Sequence, residues 1–236
     1  EPRLVVHYAM LQELYGVNKI AEAYKEEKVD FHKIVADMAD IPRGQAKTIN
    51  LGLFYGMGKA KLQAQLGVSK EKAEELLEKY HTEVPFVKQL LKGVMRRAQD
   101  CGYIRTLLGR RCRFPLWEPN QFGLHKALSR DAALAEHGPG IKRAYTYKAL
   151  NKLIQGSAAD MTKQAMVNLR EAGIIPMIQI HDELNISFKN EKQADEIKEI
   201  MEQAVPLKVP NKVDFEDGEC WGDIINNREE VIDEDF

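Results

Sequence analysis

Apolar residues recur every three or four positions over residues 4–24, which predicts helix, and the same spacing over 29–38 predicts a second one. Pro42 opens a further helical stretch that runs to Tyr55 and stops at Gly56-Met57-Gly58, because proline suits the first turn of a helix and glycine its end. Ser69-Lys70-Glu71-Lys72 has the form of a cap and first turn for a helix over 73–80, and residues 84–100 are again amphipathic. After that the period changes. Residues 102–114 mix β-branched and basic side chains around Leu108-Gly109-Arg110, as a small hairpin would. Residues 174–180 and 184–188 are short apolar runs separated only by His181-Asp182-Glu183, the pattern of a tight hairpin with its charges at the turn. Residues 141–172 suit one long helix or two, 191–204 another helix, and 212–215 a last strand. Between these, residues 115–140 hold Pro119, Gly123, Gly138, Pro139 and Gly140 and read as a loop. The fold class expected is α+β, mostly helical with short antiparallel strands.

Composition narrows the class of protein. With 236 residues, 44% of them hydrophobic, the chain can bury one large core or two smaller ones. No run approaches the roughly 18 apolar residues of a membrane helix, and no secretory leader precedes Glu1. Cys101, Cys112 and Cys220 are odd in number and lack metal-ligand spacing, so a reduced, cytoplasmic setting is expected rather than secretion. The net charge of −2 conceals an asymmetry: residues 85–160 carry 14 Lys or Arg against 5 Asp or Glu, and residues 214–236 carry 10 acidic residues against Arg228. A basic middle suits a groove that tracks phosphates, whereas the acidic tail, ending in Asp233-Glu234-Asp235, reads as a solvated end.

Two segments carry candidate chemistry. Four residues on a helix advance about 400°, so Arg43, Lys47, Leu51 and Tyr55 line one slowly drifting stripe. Two cations, an apolar side chain and an aromatic followed by Gly56 would offer phosphate, sugar and base contacts in order, the outline of a nucleotide. A buried amphipathic helix with two snorkelling cations fits the same stripe. The turn His181-Asp182-Glu183 has the same ambiguity: acidic turns are commonly just solvated, yet a carboxylate between two apolar strands also suits Mg²⁺.

Together the two segments resemble motifs of the family A DNA polymerases, the bacterial DNA polymerase I family and its phage relatives. Arg43-x3-Lys47-x7-Tyr55-Gly56 is similar to the family's fingers helix, and His181-Asp182-Glu183 to its palm motif. Asn151-x3-Gln155-Gly-Ser-Ala-Ala-Asp160 is similar to its minor-groove helix. Gly102-Tyr-Ile-Arg105-Thr-Leu-Leu-Gly-Arg110-Arg111 and Glu219-Cys220-Trp221 extend the ordered set over nearly the whole chain. The resemblance implies a helical fingers subdomain and part of an antiparallel-sheet palm. Residues 1–28 would form a palm helix, 29–114 the fingers, 115–140 an insertion loop, and 141–236 the palm with the His-Asp-Glu hairpin.

The implied activity is template-directed transfer of a nucleotide from dNTP to a primer 3′-hydroxyl with two Mg²⁺ ions. Asp182 would be a bridging ligand, with Glu183 in a weaker role. Arg43 and Lys47 would bind the triphosphate, Lys47 also donating a proton to the departing pyrophosphate. His32 would touch the β-phosphate, although a lone surface histidine is the bland alternative. Leu51 would face the sugar. Tyr55 would stack near the templating base and pair with Glu1, which would exclude a ribose 2′-hydroxyl. Asn151 and Gln155 would read minor-groove acceptors common to all base pairs, although ordinary helix-surface amides would share their spacing. His181 would steady the primer end, and Arg105, Arg110 and Arg111 would bind DNA.

The resemblance also marks departures. The family's Asp-Tyr-Ser-x-x-Glu-x-Arg motif is matched only in its last three positions by Glu1-Pro2-Arg3, which puts the other metal-binding Asp five residues before Glu1. The partners expected are therefore primer–template DNA, dNTP and a missing N-terminal portion, in the same polypeptide or a separate chain. Leu51 replaces the usual aromatic, and Tyr147 stands where an Arg is common, with Arg143 or Lys148 as substitutes. The alternatives are a non-catalytic half of a split polymerase that binds nucleotide and primer–template, and a single-subunit RNA polymerase fragment. Glu183 and Glu1 point away from the RNA enzyme.

Overall fold

The periodic run at the start of the chain folds as two helices, α1 (Pro2–Leu11) and α2 (Val17–Lys25), because the backbone turns between them at Glu13 (φ +52°) and Gly16 (φ +83°). This computed structural model describes residues 2–26, 32–33, 36–37, 41–55, 57–121, 123 and 125–220, with the backbone alone at 44, 45, 48, 49, 51 and 54. Of the helix expected over 29–38, residues 32–33 and 36–37 are described and helical. Glu1, Gly56, Trp221 and the acidic end 233–235 lie outside the described residues, as does the side chain of Leu51.

The helices that follow are α3 (Arg43–Phe54), α4 (Lys59–Leu66), α5 (Lys70–Glu83) and α6 (Pro85–Cys101). Ser69 caps α5 as its sequence suggests, its hydroxyl accepting from the Lys72 amide at 3.2 Å. Pro85 sits in the first turn of α6, where a missing N–H costs nothing. Phe86, Val87, Leu90, Val94 and Ala98 form the buried stripe of α6, which packs on α1, α3 and α5. Burying each large member of that stripe contributes roughly 1.5–3 kcal/mol.

Three two-stranded antiparallel sheets occur among the described residues. The 102–114 segment is the expected hairpin, β1 (Tyr103–Arg105) with β2 (Arg111–Arg113), in the register Tyr103↔Arg113. Residues 115–140 are more ordered than the loop expected there. They contain β3 (Trp117–Pro119) and α7 (Arg130–His137), and β3 pairs with β4 (Ile141–Arg143). That pairing is why residues 141–143 are strand rather than helix. A 3₁₀ turn, Thr146–Lys148, then leads into α8 (Ala149–Glu171). Beyond it come β5 (Ile178–Ile180), β6 (Glu183–Asn185) and α9 (Glu191–Glu202). Residues 212–215 form no strand; the Val213 amide donates instead to the Glu202 carboxylate at 2.9 Å. Cys101, Cys112 and Cys220 form no disulfide among the described residues, and no described helix is long and apolar enough to cross a membrane.

The chain divides into two compact units. One holds the described residues up to Asp160 with Leu207–Pro210, the other Met161–Pro206 with the described residues from Asn211 onward. In the first, the late segment is tied to α1: the Lys208 amide donates to Nδ1 of the buried His7 at 3.0 Å. In the second, Leu169, Ile174 and Ile197 form a core covered by Leu184, Ile186, Phe188, Ile200 and Met201.

His7 gives this fold a pH dependence. Burial, with Lys208 as a further cause, holds its imidazole below the ordinary 6.5, and the hydrogen bond needs an unprotonated Nδ1. A folded-state value below the unfolded one means the contribution is complete above 6.5 and is lost as pH falls through the folded value. Acidification should lower the protection of the Lys208 amide, its exchange rate taken relative to the intrinsic rate at the same pH. His7→Phe should abolish that dependence and destabilise by about 1 kcal/mol, both measurable by hydrogen exchange and thermal unfolding.

Candidate functional site

Helix α3 turns one face inward through Ala46, Asn50 and Leu53, at spacings of four and three, which leaves Arg43 and Lys47 exposed on the flank. Asn50 is a polar residue in the middle of the buried face, and its Nδ2 lies 3.4 Å from His32 Nδ1. In the sequence Asn50 stands out only as an amide between Ala46 and Leu53 on an apolar stripe. His32 is half-buried beside it rather than an isolated surface histidine.

Tyr55, just past the end of α3, meets α8. The exposed Gln155 donates from Nε2 to the Tyr55 hydroxyl at 3.2 Å. Two residues assigned to the nucleotide and to the minor groove are thus in direct contact, 100 positions apart in sequence. The expected partner of Tyr55, Glu1, lies outside the described residues. Asn151 stands one turn before Gln155 on the same side of α8, while Leu153, Ser157 and Asp160 face the interior.

That interior face is gripped by the β1–β2 turn. Ser157 has one hydroxyl proton, which goes to the Leu153 carbonyl at 2.7 Å. Its oxygen therefore accepts from both the Leu107 amide (3.1 Å) and the Tyr8 hydroxyl (2.7 Å). Burial pushes the Tyr8 phenol up, with nearby Asp160 adding to this against the lowering effect of Ser157, so the proton it donates is retained. Asp160, 5% exposed, accepts from Arg110 Nε at 3.0 Å and from the Leu108 amide at 3.4 Å. Arg110 Nη2 completes the fork, 2.9 Å from Asp160 Oδ1 and 2.8 Å from the Gly156 carbonyl oxygen. Gly156 is required by this approach, since a Cβ there would sit 2.8 Å from Thr106 Cγ2.

The remaining cations of the basic middle divide by what they touch. Arg105 and Arg111 are exposed, 5.6 and 4.9 Å from the Tyr103 ring centroid. Arg143 is engaged by the protein itself, donating to the Gln99 and Phe114 carbonyls at 3.1 Å each and stacking 4.5 Å from Trp117. Of the two substitutes considered for the position of Tyr147, only Lys148 is therefore on the surface, its Nζ 5.1 and 5.5 Å from the rings of Tyr145 and Tyr147.

In the second unit, Ile180 pairs with Glu183, so the hairpin turn consists of His181 and Asp182 alone and Glu183 begins β6. His181 takes φ +52°, an uncommon conformation for a residue with a Cβ and one that primed hairpin turns demand. Gln179 Nε2 steadies the turn by donating to the His181 carbonyl at 3.1 Å. Asp182 is exposed at the tip, while Glu183 is half-buried and accepts from Asn185 at 3.4 Å. The carboxylate oxygens of Asp182 and Glu183 are hard donors suited to Mg²⁺. Among the described residues no group of three or more His, Cys, Asp or Glu side chains is placed to hold a metal ion.

The family model described as DNA polymerase family A matches residues 6–223. A DNA-directed DNA polymerase of Pseudomonas phage M6 is 36% identical over 94% of this chain and 37% of its own length. DNA polymerase I of Geobacillus stearothermophilus is 34% identical over 82% of the chain and 21% of its own length. Among solved structures, the POL domain of Pol1 from M. smegmatis in complex with DNA primer-template and dNTP is similar, with a TM-score of 0.67 and 30% identity. That match covers 90% of this chain and 36% of the other. The chain thus spans between about a fifth and somewhat over a third of these relatives.

Proposed function

We propose, because the chain belongs to DNA polymerase family A, that it carries the nucleotide-binding and minor-groove-reading parts, and one metal-binding part, of an enzyme that extends a DNA primer on a template. The observation that carries this reading is the hydrogen bond from Gln155 to Tyr55, which brings the nucleotide helix and the minor-groove helix together. Arg43 and Lys47 bind the triphosphate of dNTP from the exposed flank of α3, and Lys47 delivers a proton toward the departing pyrophosphate. Tyr55 closes the nucleotide site beside the templating base. Asn151 and Gln155 donate to minor-groove acceptors shared by all base pairs, which tests pair geometry without reading sequence. His181 positions the primer end, and Arg105 and Arg111 neutralise backbone phosphates.

Asp182, with Glu183 beside it, would hold Mg²⁺ together with a carboxylate that precedes Glu1. When bound, the ions stabilise charge on the attacking and leaving oxygens. Primer extension tests the reading. A polypeptide that adds the segment preceding Glu1 should extend a primed template in Mg²⁺, whereas residues 1–236 alone should not, because one hairpin carboxylate cannot hold both ions against phosphate repulsion. Extension by residues 1–236 alone would refute the two-ion scheme. No extension by the longer polypeptide would refute the function.

A further inference from the structure

Arg110 and Arg111 are neighbours in sequence with the same charge, yet they are placed differently. Both are exposed, but Arg111 lies beside Tyr103, whereas Arg110, its side chain 52% exposed, directs its Nε and Nη2 at Asp160 and the Gly156 carbonyl. Asp160 is almost wholly buried, and a buried carboxylate is tolerated only when charge and hydrogen bonds compensate it. Arg110 supplies the charge. The Leu108 amide supplies a further donor, and the Leu107 amide goes to Ser157 one turn earlier. The result is a clamp: the 106–110 turn, closed on itself by Thr106 and Arg110, seats on the helix turn 156–160. Gln155 leads directly into that helix turn, on the face away from the grip.

We infer that Arg110 and Asp160 are positioning residues for primer extension. Their ion pair fixes α8 so that Gln155 is presented at one place to the minor groove and to Tyr55, and Arg110 is not a phosphate ligand. This replaces the DNA-binding role the sequence suggested for Arg110, and it rests on the proposed function. A flexible α8 would let Gln155 follow a distorted base pair, so the clamp converts hydrogen bonding by Gln155 into discrimination against mismatches.

The test uses the polymerase that includes the segment preceding Glu1. Arg110→Gln should leave the slope of log Kd against log salt for primer–template unchanged; a slope lower by roughly one would make Arg110 a phosphate ligand and overturn the inference. The ratio of kcat/KM for matched over mismatched primer ends should fall about tenfold in Gln155→Ala, in Arg110→Gln and in their double variant alike. An unchanged ratio in Arg110→Gln means a purely structural role, since partial unfolding scales both substrates equally, and overturns the inference. Multiplying effects in the double variant overturn it too. If Arg110→Gln fails to fold around the unpaired carboxylate, Arg110→Gln/Asp160→Asn, which removes that charge, carries the same measurements. Hydrogen exchange at the Leu107 and Leu108 amides reads the clamp without catalysis. Faster exchange in Arg110→Gln, with a wild-type polymerase that extends primers, supports the inference. Faster exchange with no extension by the wild type overturns the functional reading and the positioning role with it.

Discussion

Asp182→Ala is expected to lower primer extension by three or more orders of magnitude, about 4 kcal/mol of transition-state stabilisation, while primer–template affinity stays within about twofold. The separation follows from where Asp182 sits. It is exposed at the tip of a two-residue turn, and among the described residues no hydrogen bond or ion pair engages its carboxylate. Removing an exposed, uncommitted side chain costs a fold within about 0.5 kcal/mol. The turn keeps its shape through backbone pairing of Ile180 with Glu183 and the Gln179 side chain. A carboxylate so free of structural duty is available to an external ligand, as the proposed function requires. Single-turnover extension, fluorescence anisotropy with primer–template and thermal unfolding separate the roles. A parallel loss of affinity or stability would make Asp182 a structural residue of the hairpin.

Lys47→Ala is expected to lower kcat/KM for dNTP by about 10²–10⁴, the range for losing a positioned proton donor, with little change in DNA affinity or its salt dependence. Lys47 is exposed on α3 next to the buried Ala46, so its removal leaves the packed face of the helix intact. Arg111→Ala should do the reverse. Its guanidinium is on the hairpin surface beside Tyr103, and its loss should reduce the salt slope of primer–template binding by roughly one with little effect on dNTP use. Titrations of dNTP and DNA for both variants decide the matter. Equal effects of both substitutions in both assays would remove the division between a nucleotide helix and a DNA-facing hairpin.

Local pattern was enough to identify the helices that follow Pro42, Ser69 and Val84 and the hairpins at 102–114 and around His181. Caps, prolines and side-chain period act within a few residues of where they stand. The ordered motifs likewise pointed to the family, because a motif is a spacing and spacing is visible in a chain. What sequence alone misjudged was long-range. Residues 115–140 looked like loop because strand β3 finds its partner only at Ile141–Arg143, beyond an intervening helix. Arg110, Arg111 and Arg143 looked alike as cations, and packing alone assigned one to Asp160, one to the surface and one to the Gln99 and Phe114 carbonyls. The tie from His7 to Lys208 spans 201 positions and that from Tyr55 to Gln155 spans 100. A side chain's charge is set by its chemistry and can be read anywhere. Whether that charge meets solvent, a buried carboxylate or a carbonyl depends on which segments the fold brings within 3 Å, and no local period encodes that.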